Sequence, residues 1–95
     1  MMMYRFVIDG EKITTKAEFF DSAAAQLPLP SWCGRNLDAL HDAVTCDILP
    51  KDSIEIVIHS PAAFREHLGN YAEAVISMLS DIASEDTRLT VTVSE

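Results

Sequence analysis

The amino-acid sequence points to a small α/β domain, a three-stranded parallel sheet packed with about four helices. Three features lead there. Short stretches rich in β-branched or alternating apolar residues stand at the beginning, the middle and the end of the chain. Each is separated from the next by two runs with helical spacing and helix-end signals, so the strands are joined by crossovers rather than hairpins. Finally, 95 residues, 48% of them hydrophobic, suffice for one core and one domain, spanning residues 1–95.

The elements run in order along the chain. Tyr4 to Asp9 sets Tyr4, Phe6 and Ile8 against Arg5, Val7 and Asp9, a strand pattern that Gly10 ends. Thr15 and Glu18 are spaced as a capping box ahead of a helix whose inner face carries Phe20, Ala23, Ala24 and Leu27. Pro28 and Pro30 stop that helix and stiffen the connection to the next. Asn36 is a good N-cap for a second helix, with Leu37, Leu40 and Val44 as its buried stripe. Ser53 to Ser60 is rich in Ile and Val and is expected to be a strand covered on both faces. Ser60-Pro61 reads as a cap and first-turn proline, and Gly69 closes that third helix. Asn70 and Glu73 look like a further capping pair for a fourth helix, with Ala72, Val75, Ile76, Leu79 and Ala83 inward. Arg88 to Ser94 alternates again as the last strand.

Composition narrows the function. A net charge of −8 argues against nucleic-acid or membrane binding, both of which call for a basic face, and suits a basic partner. The stretch MMMYRFVIDG lacks a basic region followed by a long apolar run, so no signal peptide is expected, and no apolar run reaches membrane length. Two cysteines, Cys33 and Cys46, have no metal-ligand spacing and fit free thiols in a reducing compartment, so the expected location is the cytoplasm. There is no glycine-rich phosphate loop and no GxSxG elbow. Nothing near Cys33 except Arg35 would activate it as a nucleophile. The chain is not expected to be an enzyme, nor to carry a metal or another cofactor.

The informative stretch is PSWCGRNLDALHDAV, Pro30 to Val44. If Leu37, Leu40 and Val44 face the core, Asp38, His41 and Asp42 face outward. Like charges four residues apart weaken an isolated helix by roughly 0.2–0.5 kcal/mol, and the helix dipole relieves Asp38 more than Asp42. The fourth helix repeats the pattern, with Asp81 and Glu85 four apart and Met78 beside them, all turned toward solvent. Such acids are ordinarily solvated surface. Their conjunction with Trp32 and Gly34 in the adjoining loop favours a contact surface. A divalent-metal module built on Asp38, His41 and Asp42 is the rival from another class, with helical spacing but a single imidazole.

PSWCGRNLDALHDAV resembles the loop and second helix of the barstar family of intracellular ribonuclease inhibitors. The family pattern is a Pro, an aromatic pair, Gly, Asn-Leu-Asp-Ala-Leu, a bulky residue and Asp. Here it reads Pro30, Trp32, Gly34, Asn36-Leu37-Asp38-Ala39-Leu40, His41 and Asp42. Val7 to Ile13, Ala72 to Leu79 and the closing LTVTVS are also similar, so the likeness spans nearly the whole chain. The resemblance implies a three-stranded parallel sheet and binding to a basic, secreted microbial ribonuclease. It implies Asp42 as the carboxylate entering the enzyme's phosphate site, Asp38 as its neighbour, and Trp32, Gly34, Asn36 and Thr45 as further contacts. Asp81 and Glu85 stand at the family's outlying acids. Cys33, His41 and Asp47 replace family aromatics. A different ribonuclease, a ribonuclease toxin domain to which this chain confers immunity, or a non-ribonuclease basic protein therefore remain open as partners. A monomer is expected.

Overall fold

The computed structural model describes residues 2–94; Met1 and Glu95 lie outside the described residues. The chain forms β1 (Met3–Asp9), α1 (Lys16–Gln26), α2 (Leu37–Asp42), a π-helical turn (Ala43–Ile48) continuing it, β2 (Ser53–His59), α3 (Pro61–Leu68), α4 (Asn70–Glu85) and β3 (Leu89–Ser94). The three strands form one sheet in the order β1-β2-β3. Both pairings are parallel, with Phe6 opposite Ile56 and Ile56 opposite Val91.

This order explains the layering. Each strand-to-strand step moves the same way across the sheet. Right-handed crossovers then lay their helices on the same face. On that face Phe6, Ile8, Ile54, Ile56, Ile58 and Leu89 are buried against Phe19 and Phe20 of α1, Leu40 of α2, Phe64 of α3 and Val75, Leu79 and Ile82 of α4. Phe19 is the hub, with ring centroids 6.0 Å from Phe6, 5.2 Å from Phe20 and 6.2 Å from Phe64. Burial of a Phe or Ile side chain contributes roughly 1.5–3 kcal/mol, so this cluster is the main stabilising term. No polar or charged residue is buried among those described.

The opposite face of the sheet is open, which corrects the expectation that β2 is covered on both sides. Its first row is an Arg5–Glu55 ion pair at 3.3 Å with exposed Thr90 next in register. Only Val57, flanked by Val7 and Thr92, is buried there. The Ile/Val-rich run reflects one fully buried face plus this single valine.

Local signals were met unevenly. The Thr15–Glu18 box forms, with Thr15 Oγ1 accepting from the Glu18 N–H at 3.1 Å and Glu18 Oε1 accepting from the Thr14 N–H and hydroxyl. On α1, Phe20, Ala23 and Leu27 are buried as expected, Ala24 is exposed instead, and Phe19, not expected inward, is fully buried. Leu37 is only half-buried, as are Ile76 and Ala83, while Ile82 completes the inner face of α4. Ser60 does not cap α3. It adopts φ 53, ψ 59 because the chain passes from β2 to α3 in one residue, and its hydroxyl bonds Glu11 instead. Asn70 does not cap α4 either. Gly69, at φ 57, ends α3 and begins α4 at once, so Asn70 falls inside the helix, and Glu73 pairs with Arg65. Only a residue tolerant of positive φ serves such a one-residue corner well.

Candidate partner-binding site

The site begins where α1 stops. Leu27 is extended at φ −118, and the Cys33 N–H donates to the Pro30 carbonyl at 3.0 Å, closing a tight turn over residues 30–33. That turn leaves Trp32 58% exposed, a large apolar surface that no core residue covers. Cys33 is half-buried, with its sulfur 3.5 Å from the Gly34 carbonyl and 3.7 Å from that of Ala39. Burial pushes its thiol pKa up, which makes it a poorer nucleophile.

Arg35 fixes the loop to the body. Its Nη2 donates to the Ala17 carbonyl and to Asp21 Oδ1, both at 2.9 Å, and its guanidinium lies 5.9 Å from the Phe20 ring. Asn36 then starts α2 as expected. Its backbone is extended, and Oδ1 accepts from the Ala39 N–H at 2.8 Å. A Cβ at Gly34 would stand 3.1 Å from Asn36 Nδ2, so glycine leaves room for the capping side chain.

With Leu40 and Val44 buried, Asp38, His41 and Asp42 emerge on the outer face, all exposed. The Asp42 side chain keeps 66% of its accessibility. His41 Nδ1 lies 3.7 Å from Asp42 Oδ1, beyond hydrogen-bond reach. The carboxylate is therefore presented to the outside, not engaged within the fold. After Asp42 the helix widens into the π turn, where the Leu49 N–H reaches the Val44 carbonyl at 2.9 Å. The buried pairs Ala43/Ile48 and Val44/Leu49 are five residues apart and match that wider turn. Thr45 is half-buried and donates its hydroxyl to the His41 carbonyl at 2.8 Å; Cys46 is exposed and Asp47 half-exposed. The π turn thus re-aims the residues after Asp42. A 3.6-residue periodicity hides it; the five-residue spacing of Val44 and Leu49 was its signal.

The second acid pair sits elsewhere. Asp81 and Glu85 are exposed on α4, whereas Met78 packs half-buried against the core, contrary to the expectation that it turns to solvent. A groove of about 520 Å³ lies beside the first turn of α2. It is lined by Lys16, Ala17, Phe20, Arg35, Asn36, Leu37, Asp38 and Tyr71, with Lys16 Nζ 4.6 Å above the Tyr71 ring. Asp81 and Glu85 lie ten and fourteen residues beyond Tyr71, roughly 15 and 21 Å along the helix. The parts played by Arg35, Lys16 and Tyr71 depend on long-range packing and carry no local sequence signal.

Among the described residues no group of three or more His, Cys, Asp or Glu side chains is arranged to hold a metal ion, which leaves the metal-module alternative without a ligand set. No helix in the described residues is long and apolar enough to cross a membrane.

The profile of the family described as "Barstar (barnase inhibitor)" matches residues 3–94. The Bacillus subtilis (strain 168) protein named "Putative ribonuclease inhibitor YrdF" is 30% identical over 84 residues, covering 87% of this chain and 89% of that protein.

Proposed function

We propose that this chain, which belongs to the barstar family, inhibits a basic microbial ribonuclease by occupying its active site with α2 and the loop before it. The observation that carries this reading is Asp42: a carboxylate on a core-anchored helix, two-thirds exposed, with no hydrogen bond to its own fold among the described residues. A ribonuclease gathers cationic and N–H donors around a scissile phosphate. A rigid carboxylate accepts those same hydrogen bonds with charge assistance. Asp42 takes the phosphate's place, and RNA is excluded by occupation.

The surrounding residues divide the work. Asp38 adds charge in the first turn, where the helix dipole tolerates it. Trp32 supplies apolar contact area at the edge, and Cys33, Gly34, Asn36, His41 and Thr45 shape the contact. Asp81 and Glu85, with the half-buried Met78, serve at the periphery. The remaining negative charge steers a basic partner inward. Cys33, His41 and Asp47 give this face fewer aromatics than the family pattern, which favours a target shaped differently from barnase, such as a ribonuclease toxin domain. The chain acts as a binding protein without catalysis of its own, in the cytoplasm of a cell that must survive the enzyme.

Retention of proteins from the source cell on the immobilised chain, followed by an RNase assay of the retained fraction with and without added free chain, tests the reading. The expected result is a ribonuclease whose activity the chain abolishes. A retained partner without ribonuclease activity would reject it.

A further inference from the structure

Between Lys16 and Lys51 the sequence holds a single Lys or Arg, Arg35, and it stands inside the proposed contact segment. On a face that meets a basic enzyme a cation is a like charge, so its place there works against steering. The side chain turns away from that face. It reaches back to α1, where Nη2 donates at 2.9 Å to both the Ala17 carbonyl and Asp21 Oδ1. Among the described residues these are the only hydrogen bonds from residues 28–36 to α1. The others run from Leu29 to Leu27, from Cys33 to Pro30, Gly34 and Ala39, and between Asn36 and α2. Apolar packing secures only the first part of the loop, where Leu29 rests on the core. Further on, Arg35 and Phe20 line two hollows: the groove of about 520 Å³ beside Asn36 and Asp38, and another of about 190 Å³ lined also by Pro30, Cys33 and Gly34. The part of the loop that carries Trp32 is thus tied to the body by the arginine rather than by close packing.

We infer that Asp21 and Arg35 are a positioning pair: α1 holds the Trp32 loop in its binding shape through this one ion pair. The inference rests on the partner-binding reading above and names what keeps that surface ready. Asp21 belongs to α1, not to the loop or to α2, and acts through Arg35. The pair neutralises the one cation of the segment. It also orders beforehand a loop whose immobilisation would otherwise be charged against affinity at the moment of binding. With side-chain accessibilities of 54% and 71%, the two groups contribute little to folding as a whole, so their loss is felt in the loop rather than in global stability. Charge and position make opposite demands on Arg35. Removing it leaves the chain one unit more negative, which favours encounter with a basic partner, yet it frees the loop and hastens dissociation.

Trp32 is the only tryptophan, so its time-resolved fluorescence anisotropy reads the loop in the free chain. Stopped-flow kinetics with the ribonuclease retained on the immobilised chain read the consequence. In Arg35→Gln and in Asp21→Asn the nanosecond loss of Trp32 anisotropy is expected to grow about twofold in amplitude, with little change in melting temperature. Dissociation is expected to quicken about tenfold in both, while association of Arg35→Gln stays equal or becomes faster. The double variant is expected to be no worse than Arg35→Gln alone, because the two groups act as one. Asp21→Glu, which keeps the carboxylate, is expected to stay close to wild type in anisotropy and dissociation. Trp32 as rigid in both variants as in wild type would overturn the inference. So would unchanged dissociation, or losses that add in the double variant. A wild type that binds no ribonuclease counts against the function proposed above, and the free-chain anisotropy then still supports or overturns the positioning role by itself.

Discussion

Asp38 and Asp42 stand one turn apart on an exposed face, and among the described residues neither pairs with a Lys or Arg. Their repulsion is a small cost to the folded chain. Asp42→Asn is therefore expected to leave stability unchanged or raise it by about 0.2–0.5 kcal/mol in urea unfolding, even as it weakens binding. A loss of several kcal/mol would mean that Asp42 holds the fold together. Asp86 is the contrasting carboxylate. Hydrogen bonds from the Arg88 side chain and N–H hold its pKa down at about 2. A carboxylate with a depressed folded-state pKa contributes stability that is complete above its unfolded value, 3.8, and is lost as pH falls through about 2. Unfolding midpoints between pH 5 and 2 are expected to fall less steeply in Asp86→Asn than in wild type. Glu18, lowered chiefly by its Thr14 hydrogen bonds, acts in the same direction. The exposure of Asp38, His41 and Asp42 was legible in the sequence because Leu40 and Val44 fix the helix rotation. The burial of Met78 was not, since α4 is covered more widely than its Val75–Leu79 stripe indicates.

The elements that place these residues depend on their ends. Asn36→Ala removes the cap of a helix with only six α-helical residues, and is expected to cost about 1 kcal/mol and to weaken partner binding as α2 loses its fixed start. Gln26→Ala frees the Val7 N–H and carbonyl, which the carboxamide bonds at 2.8 and 3.0 Å, and is expected to cost about 1–2 kcal/mol, with faster amide exchange at Val7. Capping signals were readable where the loop was long enough for the side chain to turn back, at Thr15 and Asn36. They failed at Ser60 and Asn70, where one residue both ends an element and begins the next, so backbone geometry dictates what the side chain can reach. The π turn was hidden for a related reason. Helical periodicity assumes 3.6 residues per turn, and Ala43–Ile48 pack at a spacing of five.

At the scale of the molecule, three strands in sequence order force the helices onto one face, and the alternation of strands with paired helices made that architecture readable. The open second face was not readable, because a buried Val57 in an Ile/Val run looks the same whether one face or two are covered. The charge of −8 acts over the whole surface and within a Debye length of ~8 Å at physiological salt. Association with a basic ribonuclease is expected to slow about tenfold or more between low and high salt in stopped-flow mixing, while dissociation changes little. A rate of association indifferent to salt would rule out steering. The central claim is that Asp42 stands in for a phosphate, and titration of the retained ribonuclease with wild type and with Asp42→Ala tests it most directly. The variant is expected to remain folded yet inhibit about a hundredfold more weakly, a loss of ~3 kcal/mol. Inhibition by Asp42→Ala equal to that of wild type would contradict it.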